Sequence, residues 1–292
     1  MKKRNLIKTV LLTAFFGLLV VFFYSFRIST PQKNIGLQLY SVRDSIEVNV
    51  PGAIQKVGAM GYSFVEAAGY DNGRFYGLLP SDFKALCEKN GLKLFGSHTG
   101  QPLHDSANMA KVMAWWDACI SAHSAAGVKW IVQPFMGEDA YTSLKTLKKY
   151  CDYFNAVGAK CNAKGIRFGY HNHSEELSKQ IEGITVYDFM LKNTDPSKVM
   201  FQMDLYWLVM GGKNPVDYFN KYPGRFELWH IKDKAELGAS GKMDFAAIWA
   251  GAAKSGMKYG IVEVEEYNFD QFTSCKKSLD FLNNQSYVVM PK

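Results

Sequence analysis

The sequence has no C-x-x-C pair: its five cysteines (Cys87, Cys119, Cys151, Cys161 and Cys275) are odd in number and scattered. That pattern excludes a disulfide-stapled mini-domain and reads as buried apolar side chains or free thiols. Proline is sparse at nine residues, and past the N-terminus there is no composition break or long linker, so disorder and collagen-like repeats are excluded. Also missing is a dense lysine and arginine run with interleaved aromatics. Of the net charge of +7, four units come from Lys2, Lys3, Arg4 and Lys8 alone, and a nucleic-acid surface has little support. No G-x-G-x-x-G follows the first β-rich run, so a dinucleotide fold loses its usual support.

What the sequence does have is 292 residues, 48% of them hydrophobic, a length that suits two modest domains or one α/β barrel of ~250 residues. The N-terminus carries the first clear signal. Val10 to Tyr24 (VLLTAFFGLLVVFFY) is uncharged and apolar, and it sits between MKKRNLIK and Ser25-Phe26-Arg27. A basic leader before an apolar run is expected to stay cytoplasmic and send the rest of the chain across the membrane. Residues 1–30 are thus expected to be a signal peptide or signal anchor, with residues 10–26 as the possible membrane tether. The run is short for a spanning helix of ~20 residues, yet no A-x-A-like cleavage site follows it, which leaves release and tethering both open. The competing reading is a buried core helix, against which the all-round apolarity and cationic leader count. The expected location is exported: periplasmic, or membrane-anchored and facing outside the cytoplasm.

From Asn34 onward, β-rich runs alternate with segments of helical period. Strands are expected near 35–40, 63–67, 93–97, 129–133, 167–171, 199–204, 226–232 and 259–265. Helices are expected near 53–60, 81–90, 107–126, 144–163, 188–193, 215–222, 245–255 and 269–282. Gly61, Gly91, Gly127, Gly165 and Gly256 each stand just before a strand, where a helix C-cap needs a left-handed residue. Eight strand-helix units predict an α/β fold, a closed (β/α)₈ barrel over residues 31–292, rather than an open doubly wound sheet.

Strands covered on both faces should be apolar inside, so polar residues at their C-terminal ends mark the candidate site. Strand five ends FGYHNH, placing His171 and His173 on one face; strand six ends in Asp204. Strand seven puts His230 and Lys232 on one face, and strand eight does so with Glu263 and Glu265. Imidazoles, an aspartate and a glutamate converging from four strands are what a divalent cation needs. Each has a bland reading when taken singly: a strand-end histidine is commonly a hydrogen-bonded structural residue, and Asp204 can cap the following loop. Gln38, Glu66, His98 and Gln133 are expected on the inward face near the same end, where they can bind a polyhydroxylated ligand or serve structure. Trp207, with Tyr40, Tyr70 and Phe135, can wall a sugar ring or simply pack.

These residues lie in motifs that resemble a known family: IGLQLYSVRD from Ile35, GYSFVEAAGY from Gly61, GSHT from Gly96 and YHNH from Tyr170. To these add MDLYW from Met203 with a following Gly-Gly and Asn-Pro, HIKD from His230 and IVEVEEY from Ile261. From Asn34 to its end the chain resembles the sugar phosphate isomerase/epimerase group of xylose isomerase-like TIM barrels, including tagatose 3-epimerase-like and inosose dehydratase-like enzymes. The resemblance is specific for the superfamily and much less so for the reaction. It implies one divalent metal ion (manganese, zinc, cobalt or iron), held by a carboxylate from strand five and by Asp204, His230 and Glu263. At the first of these positions many members have Glu-Asn-His, and this chain has His171-Asn172-His173. In epimerases two glutamates exchange a proton from opposite faces of the substrate carbon, so losing one counts against symmetric epimerisation.

The chemistry this implies is deprotonation beside a carbonyl through a metal-stabilised enediolate. Glu263 or Glu265 is the candidate base, His173 or His98 the candidate acid, and Lys232 the partner of the developing oxyanion. The expected activity is isomerase- or epimerase-type on a small carbohydrate: a keto sugar, a cyclitol or a keto-glycoside. Export favours an unphosphorylated substrate. The alternatives are dehydration or keto-glycoside cleavage by a lyase on the same site, and a carbohydrate-binding barrel without turnover. A multi-metal nuclease of related fold is disfavoured by only six histidines and by the lack of a basic groove.

Overall fold

The computed structural model describes residues 33–103 and 109–290. Among them, eight parallel strands close into a barrel: β1 (Ile35–Gln38), β2 (Phe64–Ala67), β3 (Lys93–His98), β4 (Trp130–Gln133), β5 (Arg167–His171), β6 (Val199–Asp204), β7 (Leu228–Ile231) and β8 (Tyr259–Val262). Each strand pairs with its sequence neighbours, and β8 returns to β1 in the register Ile35 opposite Gly260, so the ring has no free edge. The outer layer is built from the expected helical segments, among them Val50–Met60, Pro80–Lys89, Met109–Ala126, Leu144–Asn162 and Gln271–Asn284. The five expected capping glycines all have left-handed backbone, with φ from 70° at Gly165 to 99° at Gly61. The apolar run at 10–24, with its signal-or-anchor reading, lies outside the described residues. Among the described residues no helix is long and apolar enough to cross a membrane.

Two strands stop earlier than their composition suggests, each for a local reason. β1 ends at Gln38 because the Gln38 side chain accepts from the Tyr40 amide and turns the chain into a 3-10 helix, Leu39–Val42. β8 ends at Val262: the next amide still reaches Ile231, but the Val264 amide donates to the Ser41 hydroxyl instead of to the neighbouring strand. Glu263 and Glu265 therefore sit on the loop leaving β8, not within the strand. Gly251 separates the expected 245–255 helix into Phe245–Ala250 and Ala252–Ser255. Two small hairpins, around Asn72-Gly73 and Glu182-Gly183, were not expected. Both turn residues of each have positive φ, the backbone that two-residue hairpins favour.

The strand period of two separates two apolar compartments. Ile131, Phe168, Phe201 and Trp229 face the helices, whereas Phe64, Trp130, Val132, Met200, Leu228 and Ile261 fill the barrel interior. Interior rings need space that only glycine leaves. A Cβ on Gly96 would lie 1.8 Å from the Trp130 indole nitrogen, and one on Gly36 would lie 2.1 Å from the Phe64 ring. Trp130 in turn donates to Glu66 Oε2 at 2.6 Å, tying the apolar tier to the polar tier above it. Gly96→Ala should thus overpack the interior and destabilise the fold by about 1–3 kcal/mol, seen as a lower midpoint in thermal denaturation.

Candidate metal and substrate site

Above the apolar tier, the same alternation places polar side chains inward. Met200 is followed by Gln202 and Asp204, Leu228 by His230 and Lys232, and Ile261 by Glu263. His171, Asp204, His230 and Glu263 converge at the C-terminal mouth, each with one ligand-type atom within 4.8 Å of the others, and all four are buried. His230 Nδ1 lies 3.3 Å from Glu263 Oε2, and His171 Nε2 lies 3.9 Å from Asp204 Oδ2. Asp204 Oδ1 accepts from the Trp207 amide at 2.7 Å, capping the short helix Leu205–Met210, while its buried Oδ2 has no hydrogen-bond partner. An unpartnered buried carboxylate oxygen is costly, by about 1–3 kcal/mol or more.

The electrostatics fit a cation at this point. Burial, joined by the Glu263 charge, pushes Asp204 up to about 7 against the opposing pull of Lys232 and His230. Burial and the neighbouring imidazoles hold His171 well below its ordinary range, so it is a neutral donor near pH 7. Burial opposes charge on His230, yet Glu263 and Glu66 overcome it and push the imidazole up to about 10. Two imidazoles and two carboxylates with an orphaned oxygen between them suit a divalent ion, which would take over the compensation that the His230 proton provides.

Beneath this cluster, Gln38 and Glu66 are sealed from solvent, so they act on the cluster rather than on the open cavity. Gln38 donates to Glu66 Oε1 at 2.8 Å, and His230 Nε2 lies 2.8 Å from the same oxygen. Burial raises the Glu66 pKa, but His98 and His230 outweigh it and keep the carboxyl ionised. His98 spans both environments: its Nε2 lies 2.5 Å from Gln202 Oε1 and 3.1 Å from Glu66, and its ring lines the cavity. Gln202 was missed, although its parity with Asp204 in VMFQMD marked it as the other inward polar residue of β6. Gln133 corrects the expectation of an inward face. It has the parity of Ile131, which faces the helices, and its amide donates to the Gln101 and Phe135 carbonyls, organising loops instead of joining the cluster.

A cavity of about 550 Å³ opens above the cluster, lined by Tyr40, Tyr70, His98, Phe135, His171, His173, Glu263 and Glu265. Tyr40 and Phe135 are 45% and 40% exposed, respectively, and supply its aromatic rim. Trp207 does not line this cavity. Its ring instead lies against the Lys232 Nζ, at 4.8 Å. Lys232 Nζ bridges Glu263 at 3.2 Å and Glu265 at 2.5 Å; these carboxylates, with Asp204, outweigh burial and keep it protonated. His173 caps the helix Ser174–Ser178 and is driven towards the neutral form, chiefly by burial. A second cavity of about 580 Å³ adjoins the first through Pro134, Phe135 and His173 and extends to Tyr141 and Lys179.

If the four-residue cluster holds an ion, elemental analysis of the purified protein should find close to one divalent transition metal per chain. Asp204→Ala and His230→Ala should each weaken retention by about 100-fold or more, beyond the 10–100-fold that loss of an outer-shell partner costs.

The xylose isomerase-like TIM barrel family matches residues 54–285 of this chain. Two crystal structures described as sugar phosphate isomerase/epimerases from Parabacteroides distasonis ATCC 8503 are similar throughout. One is 36% identical, with a TM-score of 0.80 over 87% of this chain and 99% of that one; the other is 32% identical, with a TM-score of 0.83 over 89% and 97%. D-allulose 3-epimerase from Methylomonas sp., 15% identical with a TM-score of 0.66, covering 86% of this chain and 97% of that one, shares the fold. Inosose dehydratase of Lacticaseibacillus casei is 26% identical over 157 residues, 44% of this chain and 52% of that enzyme, so the chain spans about half the length of the curated relatives it matches. With the closed barrel, its strand-end histidines and carboxylates and a match across most of the described residues, this chain belongs to the xylose isomerase-like TIM barrel family.

Proposed function

We propose that this protein is a divalent-metal-dependent enzyme that removes a proton next to the carbonyl of a keto carbohydrate and expels the β-oxygen substituent. The observation that carries this reading is an asymmetry of the cavity. Its two lining carboxylates, Glu263 and Glu265, leave the same strand and share one ammonium, Lys232, whereas His171 and His173 stand at the end of β5. One-sided base chemistry suits deprotonation followed by elimination or isomerisation better than a two-base epimerisation. Similarity to inosose dehydratases points the same way.

His171, Asp204, His230 and Glu263 would hold the ion, and two imidazoles among four donors suit zinc, cobalt or ferrous iron as well as manganese. When bound, the ion supplies Lewis-acid polarisation of the substrate carbonyl. Glu263 takes the proton from the adjacent carbon, and the electron pair left behind forms the new carbon–carbon double bond as the β carbon–oxygen bond breaks. Lys232, buried against Glu263 and Glu265, would offset the negative charge that grows on the substrate oxygen. The departing oxygen takes its proton from a cavity imidazole. His98 and His173 are the two candidates for that step, and burial disfavours the charged form of His173. The products are an unsaturated ketone and water, or an alcohol where the leaving group is glycosidic.

The second cavity beyond Phe135 supports a substrate larger than one ring, so a keto-glycoside is favoured over a free keto sugar. Export through the N-terminal segment, with residues 10–26 either removed or kept as a tether, would place an unphosphorylated carbohydrate within reach.

Incubation with keto sugars, cyclitols and 3-keto-glycosides in deuterated water, followed by mass spectrometry, tests the reading. Solvent deuterium or an unsaturated product should appear with the wild type. Glu263→Gln should slow that conversion by about 10²–10⁴-fold while leaving the far-ultraviolet circular dichroism unchanged. Conversion unaltered by Glu263→Gln would refute the assigned base, and binding without exchange or conversion would mark a non-catalytic carbohydrate-binding barrel.

A further inference from the structure

We propose that Glu66 and Gln202 are positioning residues of the metal centre, which together decide the ring nitrogen that His171 and His230 each present to the ion. The proposal rests on the metal reading above and adds to it the device that sets the two imidazoles.

The argument is one of donor and acceptor counting. Glu66 is fully buried, and each of its oxygens already takes an N–H group, so the carboxyl faces its neighbours as an acceptor. Trp130 Nε1 donates to its Oε2 at 2.6 Å and Gln38 Nε2 to its Oε1 at 2.8 Å, which anchors the carboxylate in place. His230 Nε2, at 2.8 Å from Oε1, must then carry its hydrogen towards Glu66. Once the second ring proton leaves, Nδ1, 3.3 Å from Glu263 Oε2, is the nitrogen with a lone pair for a cation. The same carboxylate orients Gln202, whose Nε2 lies 2.9 Å from Glu66 Oε2 and 3.2 Å from Oε1 and so must be the amide nitrogen. Its Oε1 is thereby turned to the histidines, 3.0 Å from His171 Nδ1 and 2.5 Å from His98 Nε2. His171 consequently donates through Nδ1 and keeps Nε2 bare on the side of Asp204. One acceptor-only group thus sets His230 directly and His171 through a single amide. Outer-shell partners of this kind fix the ring orientation and donor strength of metal-ligating histidines.

Purified full-length wild type and three variants, Gln202→Met, Glu66→Gln and Trp130→Phe, separate positioning from support of the fold. For each, zinc affinity is measured by competition with a chelator, the bound state by the visible absorption of the cobalt-substituted protein, and the fold by the thermal midpoint without added metal. Gln202→Met and Glu66→Gln should weaken zinc binding by about 10–100-fold and shift the cobalt band. Trp130→Phe, which removes one of several donors to Glu66 but no partner of either ring, should lower the thermal midpoint and weaken zinc binding less than either of the other variants. If Glu66→Gln does not fold, Gln202→Met decides the outcome through His171. Wild-type affinity and an unshifted band in Gln202→Met and Glu66→Gln would overturn the proposal and leave both residues purely structural. A folded wild type that binds neither zinc nor cobalt would instead overturn the metal reading itself.

Discussion

Charges sealed inside a closed barrel must be neutralised by one another, and the architecture of the mouth follows from that constraint. Glu66, Asp204 and Glu263 are buried acids, and Lys232 and His230 are the buried cations among the described residues that face them. Three negative charges against two positive ones leave an imbalance, and the chain absorbs it at Asp204, whose proton affinity burial raises to about 7. A doubly charged ion would balance the same set in another way. With His230 neutral and acting as a donor, one ammonium and one divalent cation cancel three carboxylates. The site is therefore close to neutral whether it holds protons or a metal, which lets the two compete for the same oxygen atoms.

The constraint reaches down into the apolar tier. Glu66 is tolerated because donors surround it, and one of them, the Trp130 indole, needs the space that Gly96 leaves. A glycine in β3, a tryptophan in β4 and a glutamate in β2 thus belong to one packing unit, although they are dozens of residues apart. Asp204 links the site to the fold in the same manner, with one oxygen starting the helix after β6 and the other facing the cluster.

Much of this was legible in the amino-acid order because a parallel barrel strand states its own inward face. Asp204 ends an apolar run, and His230 and Glu263 interrupt one, each in a parity that the fold preserves, and the capping glycines announce where the strands begin. Gln133 ends its strand as His171 and Asp204 end theirs, but Trp130 and Val132 are the inward residues of β4, which turns Gln133 outward. Gln202 was overlooked since an uncharged amide beside an aspartate carries little weight until three dimensions show Glu66 within reach. The exit of Glu263 and Glu265 from β8 was hidden for a similar reason. It depends on the Ser41 hydroxyl, which belongs to the opposite end of the chain.

His171 is where the balance of charge and the chemistry meet. A carboxylate at this position would add a fourth buried negative charge to the cluster, and it would stand on β5 rather than beside Glu265 on the loop after β8. An imidazole adds no such charge: it is neutral, its Nδ1 is committed to Gln202, and only its Nε2 is available. The cage keeps its four donors while the cavity keeps its carboxylates on one side. With an imidazole here, three acids, one lysine and one divalent ion would reach neutrality, and the proposed one-sided proton transfer would need no carboxylate on β5. His171 thus ties the proposed reaction to the proposed metal: the same neutral side chain would serve the charge balance and the one-sided proton transfer.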